Sequence, residues 1–271
     1  MTPPRTGRAF LDAVLDQPGS VLAFAHRGGA RHPDVAELEN TLVAFEHACA
    51  LGYRYLETDV HVSLDGVLLA FHDDVLDRVT DATGTLAQLR EAEIRGARIG
   101  GRESVPTLAD VFDALPADTH FNIDLKSMGS VPALADFIAA RGVQDRVLVG
   151  SFSRRRMHEF RRITSAQVAT SATPSEVAAF VGAPSLAATR RVSRAFDALQ
   201  IPHRHRRLRV TTARLVRRAH AADKHVHVWT VDEAEEMREL LALGVDGLMT
   251  DRTDVLKTVL LEDGRWREST R

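Results

Sequence analysis

The chain has 271 residues, 44% hydrophobic, 27% charged and 6% aromatic, and its 35 Lys and Arg against 37 Asp and Glu leave a formal net charge of −2. That composition excludes a disordered polar chain and lacks the basic excess of a nucleic-acid binder. The single cysteine, Cys49, excludes a disulfide-stapled scaffold and reads as a core residue, while the absence of a 20-residue apolar span or a signal-peptide core predicts a cytoplasmic protein with no transmembrane segment.

Short apolar runs alternate with segments of helical period from Val21 onward. The runs predict strands at Val21–His26, Tyr55–Val60, Phe121–Lys126, Val147–Ser151, Gln167–Thr170, Ala198–Ile201, His225–Thr230 and Gly247–Thr250. Helices are predicted at Thr41–Leu51, Thr107–Leu115, Val131–Arg141, Arg154–Ile163, Ser175–Phe180, Thr212–Asp223 and Glu233–Leu243. Eight such strands with intervening helices predict an α/β protein, an eight-stranded parallel (β/α)8 TIM-type barrel forming one domain over residues 1–271 with its core at 20–260. The ends, Met1–Gly19 and Glu262–Arg271, read as peripheral.

A ninth run, Val67–His72, follows the turn signal Asp65-Gly66 and is assigned to a hairpin on the second strand. Folding the chain symmetrically about that turn places His72 opposite Asp59. The insertion then extends over about residues 61–106, with one helical stretch at Leu86–Ile94 and no core of its own.

Several strand ends carry chemistry. The first ends in Ala25-His26-Arg27-Gly28-Gly29, an imidazole and a guanidinium followed by glycines that permit close backbone approach. The second reads Leu56-Glu57-Thr58-Asp59-Val60, and alternation puts both carboxylates on one face with Cα atoms ~6.6 Å apart. Two carboxylates so crowded repel one another unless a cation lies between them, and oxygen ligands suit Mg²⁺ or Ca²⁺. The third strand adds Asp124 and, in phase with it, Lys126, one of only three lysines in an arginine-rich chain. Of twelve histidines, His26 and His72 are the two that position brings to these carboxylates as proton-transfer groups. His61 continues the Glu57–Asp59 phase as a supporting group. His225 and His227 read as barrel-interior residues, and Trp229, nearer the strand's C-terminal end, as a wall of the substrate pocket. His47, His120, His158 and His220 fall on helices or loops with no carboxylate motif around them.

In order and spacing these residues resemble the glycerophosphodiester phosphodiesterase family, whose pattern is His-Arg, Glu-x-Asp and His-Asp. Here the pattern is met by His26-Arg27, Glu57-Thr58-Asp59 and His72-Asp73. It continues through Glu39-Asn40-Thr41, Asn122-Ile123-Asp124-Leu125-Lys126, Trp229-Thr230-Val231-Asp232, Gly244-Val245-Asp246-Gly247 and Thr250-Asp251. The resemblance implies a barrel with an insertion after the second strand. It also implies hydrolysis of small-molecule glycerophosphodiesters to glycerol 3-phosphate and an alcohol, with a divalent cation, Mg²⁺ or Ca²⁺. By the same resemblance Glu57, Asp59 and Asp124 are metal ligands, His26 and His72 the catalytic pair, and Arg27 and Lys126 phosphate contacts. Two departures stand out: Asp124 where the family often has Glu, and Leu38 where a proline often precedes Glu-Asn-Thr, after an Arg31–Leu38 loop longer than usual.

Two other readings carry different signatures. A lysophospholipase D-like lipid phosphodiesterase calls for long apolar loops at the mouth, of which the insertion has few. A noncatalytic phosphate-binding module calls for loss of a histidine or ligand, and none is lost. The arginine-rich stretches Arg154–Arg156 and His203–Arg209 follow strand ends and predict a positive rim, which draws anionic diesters inward or gives peripheral contact with anionic lipid.

Overall fold

The computed structural model describes residues 3–13, 20–206 and 208–266. Eight strands run parallel: β1 Leu22–His26, β2 Tyr55–Val62, β3 His120–Leu125, β4 Val147–Gly150, β5 Ala169–Thr170, β6 Ala198–Pro202, β7 His225–Trp229 and β8 Gly247–Thr250. Their hydrogen-bonded order is β5-β4-β3-β2-β1-β8-β7-β6, and a parallel bridge between Ser171 and Ala198 joins the two ends. The barrel is thus nearly closed, as the sequence predicts.

The helices begin where small hydroxyl residues follow the strands. Thr41, Thr107, Ser153, Thr173 and Thr212 each accept a backbone N–H at a helix start, and Thr107 and Thr173 form capping boxes with Asp110 and Glu176. Two helices that the periodicity does not mark, Leu186–Val192 and Thr253–Glu262, complete the outer layer. Between helices and strands lies the main core, with Leu56, Ile123, Val149, Leu199, Val226 and Leu248 fully buried. Cys49 sits at its edge, half-buried, with Sγ 3.9 Å from Thr119 Oγ1, rather than inside it.

The N-terminal segment corrects the sequence reading, because residues 3–13 are not peripheral. Phe10 and Leu11, on the short helix Ala9–Asp12, are buried with Leu22, Phe24, Tyr55, Leu148, Ala198 and Met249. This plug seals the floor of the barrel, and Tyr55 donates a hydrogen bond to the Phe10 carbonyl at 3.0 Å. His120 also proves to be a strand residue, stacked on Tyr55 with ring centroids 4.7 Å apart.

The hairpin also departs from expectation, by one residue. Leu68–Ala70 pairs antiparallel with the end of β2, but Val60 faces Ala70, so Phe71 and not His72 stands opposite Asp59. The turn explains the shift. Ser63 N–H bonds Val67 O, Gly66 N–H bonds Ser63 O, and Gly66 has φ 85°, so the loop has three residues ending in a left-handed glycine. The insertion beyond has a core after all: Leu69, Phe71, Leu76, Leu86, Ile94, Ala97, Ile99 and Val105 bury together, apart from the barrel core.

Candidate active site at the C-terminal mouth

The C-terminal ends of β1, β2, β3 and β8 gather a dense set of charges. His26 closes β1 with Nδ1 2.7 Å from Asp251 Oδ1, just past β8, and with Nε2 3.7 Å from Glu57 Oε2 on β2. Asp251 is fixed in turn, because its backbone N–H donates to Asp232 Oδ1 at 2.9 Å and its carbonyl accepts the Arg31 N–H at 3.0 Å. Burial opposes a charged imidazole, yet Glu57 and then Asp251 outweigh it and push the pKa of His26 up to about 9. Burial first, and then Asp59, push Glu57 up to about 7.

Arg27 turns inward through a left-handed backbone conformation, φ 51°, which a non-glycine residue rarely adopts. Its guanidinium lies 3.0 Å from Asp59 Oδ2 and 3.1 Å from Glu39 Oε1. The two glycines that follow serve packing rather than ligand approach: a Cβ at Gly28 would meet Ala44 Cβ at 2.7 Å, and one at Gly29 would meet Thr253 Cγ2 at 2.6 Å. They let the loop lie against the starts of two helices.

Lys126 Nζ sits between Asp59 Oδ1, at 2.9 Å, and Asp124 Oδ2, at 2.7 Å. Asn40 donates to Asp59 Oδ2 at 3.2 Å. Burial works against the charge of Asp59, but Lys126 and Arg27 together hold its pKa below the usual carboxylate range. Asp124 is pushed upward by burial, and its Oδ1 is buried with no hydrogen-bond partner.

His72 reaches the same mouth from the hairpin. Its Nδ1 lies 2.5 Å from Asp73 Oδ1, and His61 Nε2 lies 3.1 Å from the His72 carbonyl, so His61 holds its backbone. Arg78 links Asp73, at 2.5 Å, to Glu39, which it grips through both terminal nitrogens at 2.9 and 2.6 Å. A ladder of alternating charge therefore runs from Asp73 through Arg78, Glu39, Arg27, Asp59 and Lys126 to Asp124. Sequence reasoning finds His26, Arg27, Glu57, Asp59, His72, Asp124 and Lys126 but gives no role to Asp251, Asp232 or Arg78. The first two lie within the motifs Thr250-Asp251 and Trp229-Thr230-Val231-Asp232. Arg78 has no local signal.

The other side of the mouth is apolar. Trp229, at the end of β7, meets Phe152, beyond β4, edge-on with centroids 5.6 Å apart. His225 and His227 lie deeper in β7 as expected, both held neutral chiefly by burial. His225 Nε2 bonds Pro4 O at 3.0 Å, and His227 Nδ1 lies 3.3 Å from Gln200 Nε2.

The donor set at the mouth fits a hard divalent cation. Six carboxylates, Glu39, Glu57, Asp59, Asp73, Asp124 and Asp251, face Arg27, Arg78, Lys126, protonated His26 and, near Asp124, Arg156, so the carboxylates outnumber the cations. Glu57 and Asp124 have lone pairs to spare, whereas Asp59 already meets two cations and an amide. Lys126 separates Asp59 from Asp124, and the oxygens of Glu57, Asp59 and Asp124 do not all come within 4.8 Å of one another; among the described residues only His32, Asp34 and His47 do so.

Comparison with known proteins agrees with this architecture. The profile of the glycerophosphoryl diester phosphodiesterase family matches residues 26–255. A Mycobacterium tuberculosis protein named probable glycerophosphodiester phosphodiesterase 2 is 38% identical over 253 residues, covering 92% of this chain and 94% of that one. Among solved structures, a putative glycerophosphoryl diester phosphodiesterase from Silicibacter pomeroyi superposes with a TM-score of 0.79 at 24% identity, over 95% of this chain and 99% of that one. An Oleispira antarctica phosphodiesterase, solved in complex with the product sn-glycerol-3-phosphate, gives 0.72 at 23% identity over 88% and 96% of the two chains. At such identities the structural likeness is one of fold, while the family is fixed by the sequence match across nearly the whole barrel. This chain belongs to the glycerophosphoryl diester phosphodiesterase family.

Proposed function

We propose that the chain hydrolyses glycerophosphodiesters to glycerol 3-phosphate and an alcohol, using a divalent cation held by Glu57, Asp59 and Asp124. As a family member it is a phosphoric diester hydrolase. The observation that carries the reading is the Asp251–His26–Glu57 line at the mouth, beside Arg27 and Lys126. When bound, the cation offsets the excess negative charge, polarises a phosphoryl oxygen and makes a nearby hydroxyl more acidic.

The remaining work falls to the chain's own residues. Arg27 and Lys126 meet the charge that grows on the phosphoryl oxygens, and the ladder behind them keeps both side chains in place without reorganisation. Asp251 accepts the Nδ1–H of His26, so a protonated His26 directs its other N–H into the site. That is the geometry of a proton donor to the leaving alkoxide. His72, oriented by Asp73, takes the nucleophile's proton. Trp229 and Phe152 offer the carbon skeleton of the substrate an apolar wall. The test is release of glycerol 3-phosphate from a panel of glycerophosphodiesters, with and without chelator. Absence of release from every diester in the presence of Mg²⁺ or Ca²⁺ would overturn the reading.

A further inference from the structure

A second cluster of metal-ligating side chains lies outside the mouth, on the Arg31–Leu38 loop and the helix Leu42–Ala50. His47 Nε2 is 3.5 Å from Asp34 Oδ2, His32 Nδ1 is 3.9 Å from the same oxygen, and one ligand atom from each residue falls within 4.8 Å of the others. The two imidazole rings pack with centroids 4.3 Å apart at 56°. We propose that His32, Asp34 and His47 bind a divalent transition-metal ion of the Zn²⁺ type, at a site separate from the carboxylates of the mouth.

Three features support it. Four ligands at about 2.0–2.1 Å around a tetrahedral centre stand roughly 3.3–3.4 Å apart; the 3.5 and 3.9 Å separations from Asp34 are close to that spacing, and the two imidazole nitrogens, within 4.8 Å of each other, have to draw together. Two imidazoles and one carboxylate favour Zn²⁺ over Mg²⁺ or Ca²⁺, which take oxygen ligands. The histidines are also available for ligation. His32 Nδ1 accepts the Asp34 N–H at 3.1 Å, so that nitrogen is unprotonated, and a metal bound there would take the place of this hydrogen bond. His47 Nδ1 is buried without a hydrogen bond, and its Nε2 contact to Asp34 is an ion-pair distance rather than a hydrogen bond. With Asp34 72% exposed, the site opens to solvent and has room for a water as fourth ligand.

Such an ion would act as a clip. The loop it joins to the helix starts from His26-Arg27 and ends at Glu39-Asn40, and Asn40 N–H bonds the Arg27 carbonyl at 2.9 Å while Arg31 N–H bonds Asp251. Tying the loop down therefore orders both shores of the mouth without touching substrate.

The test is Zn²⁺ titration by calorimetry in excess Mg²⁺, together with the visible spectrum of the Co²⁺-loaded protein. The expected result is one tight equivalent of Zn²⁺, the intense absorption of four-coordinate Co²⁺, and a thermal midpoint raised by a few degrees. His47→Gln and Asp34→Asn, both at solvent-accessible positions, should each weaken Zn²⁺ binding at least about tenfold while circular dichroism stays unchanged. Unchanged affinity in both variants, a six-coordinate Co²⁺ spectrum, or no equivalent bound overturns the site. None of these readouts depends on diesterase activity, so failure here is distinct from failure of the proposed reaction.

Discussion

The floor and the mouth of the barrel are built from the same eight strands and obey opposite rules. On β1, Leu22 and Phe24 point into the apolar floor while His26, at the other end, meets Asp251. On β2, Tyr55 belongs to the floor and Glu57 and Asp59 to the mouth. The floor is held mainly by contact: Phe10, Phe24 and Tyr55 pack ring against ring with centroids 5.2 to 6.4 Å apart, and the one Tyr55 hydroxyl is satisfied by the Phe10 carbonyl. The mouth buries Glu57 and Asp59 at 5% and 1% exposure among other charges, a costly arrangement that pays off only where those charges have work to do. Stability and chemistry are thus separated along each strand, and substitutions at the two ends should report on different quantities.

The largest expected effect tests the mouth's excess negative charge. Chelation should abolish release of glycerol 3-phosphate and Mg²⁺ or Ca²⁺ should restore it; full turnover in exhaustively chelated protein breaks the assignment of Glu57, Asp59 and Asp124.

Next come the histidines, set against a floor residue. His26→Ala and His72→Ala should each lower kcat by about 10²–10⁴-fold, with thermal midpoints near the parent's. Phe24→Ala, at a fully buried floor position, should do the reverse, costing about 3–5 kcal/mol of stability while kcat well below the melting range stays near the parental value. A Phe24→Ala protein that is stable but inactive would contradict the division. His61→Ala should fall between, since His61 only holds the His72 backbone.

A smaller effect concerns pH. Glu57 is raised from 4.5 to about 7, chiefly by burial, so the cost of its buried charge appears as pH rises through that range. His26 is raised from 6.5 to about 9, so its favourable contribution is complete below pH 6.5 and is lost as pH rises through 9. Both groups make the chelated protein less stable from about pH 4.5 to 9. Glu57→Gln removes the first effect and the main attraction behind the second, so its unfolding free energy should vary less over that range. Urea titrations at several pH values decide it, and a variant with the parent's slope would show that Glu57 and His26 do not sense each other.

How much of this was legible depends on the range of the signal. Strand alternation delivered Glu57, Asp59, Asp124 and Lys126 to one end because it is local and has period two. Asp251 and Asp232 act through partners 225 and 18 residues away in the chain, and Arg78 ties its near neighbour Asp73 to Glu39, 39 residues away, so no local pattern carries these pairings. The hairpin register failed because Asp65-Gly66 suits both a two-residue and a three-residue loop, and only the tertiary hydrogen bonds choose. The floor plug was missed because Phe10 and Leu11 sit on a four-residue helix, too short to display a period.

The smallest effect concerns a contrast within the mouth itself, between its acidic interior and its basic rim. Arg154 and Arg155, which form the first turn of the helix Arg154–Ile163 rather than a loop, are exposed. So are Arg204 and Arg206 on the hairpin beyond β6, whereas Arg207 lies outside the described residues. Arg156 instead turns inward, donating to the Leu125 carbonyl at 2.5 Å, and Arg209 pairs with Glu239. The exposed four stand on strand-end connections around an opening whose inner charge is negative, so they can offset the repulsion that an anionic diester meets on approach. Exposed charges are screened over a Debye length of ~8 Å at physiological ionic strength. Their contribution should therefore appear in kcat/KM at low salt, fade as salt is added, and leave kcat alone. Replacing Arg154, Arg155, Arg204 and Arg206 together by Gln should lower kcat/KM a few-fold at low salt and bring the variant level with the parent at high salt. If the two proteins keep parallel salt profiles on glycerophosphoglycerol, the rim is a solvated surface and the cation and Arg27 alone receive the substrate.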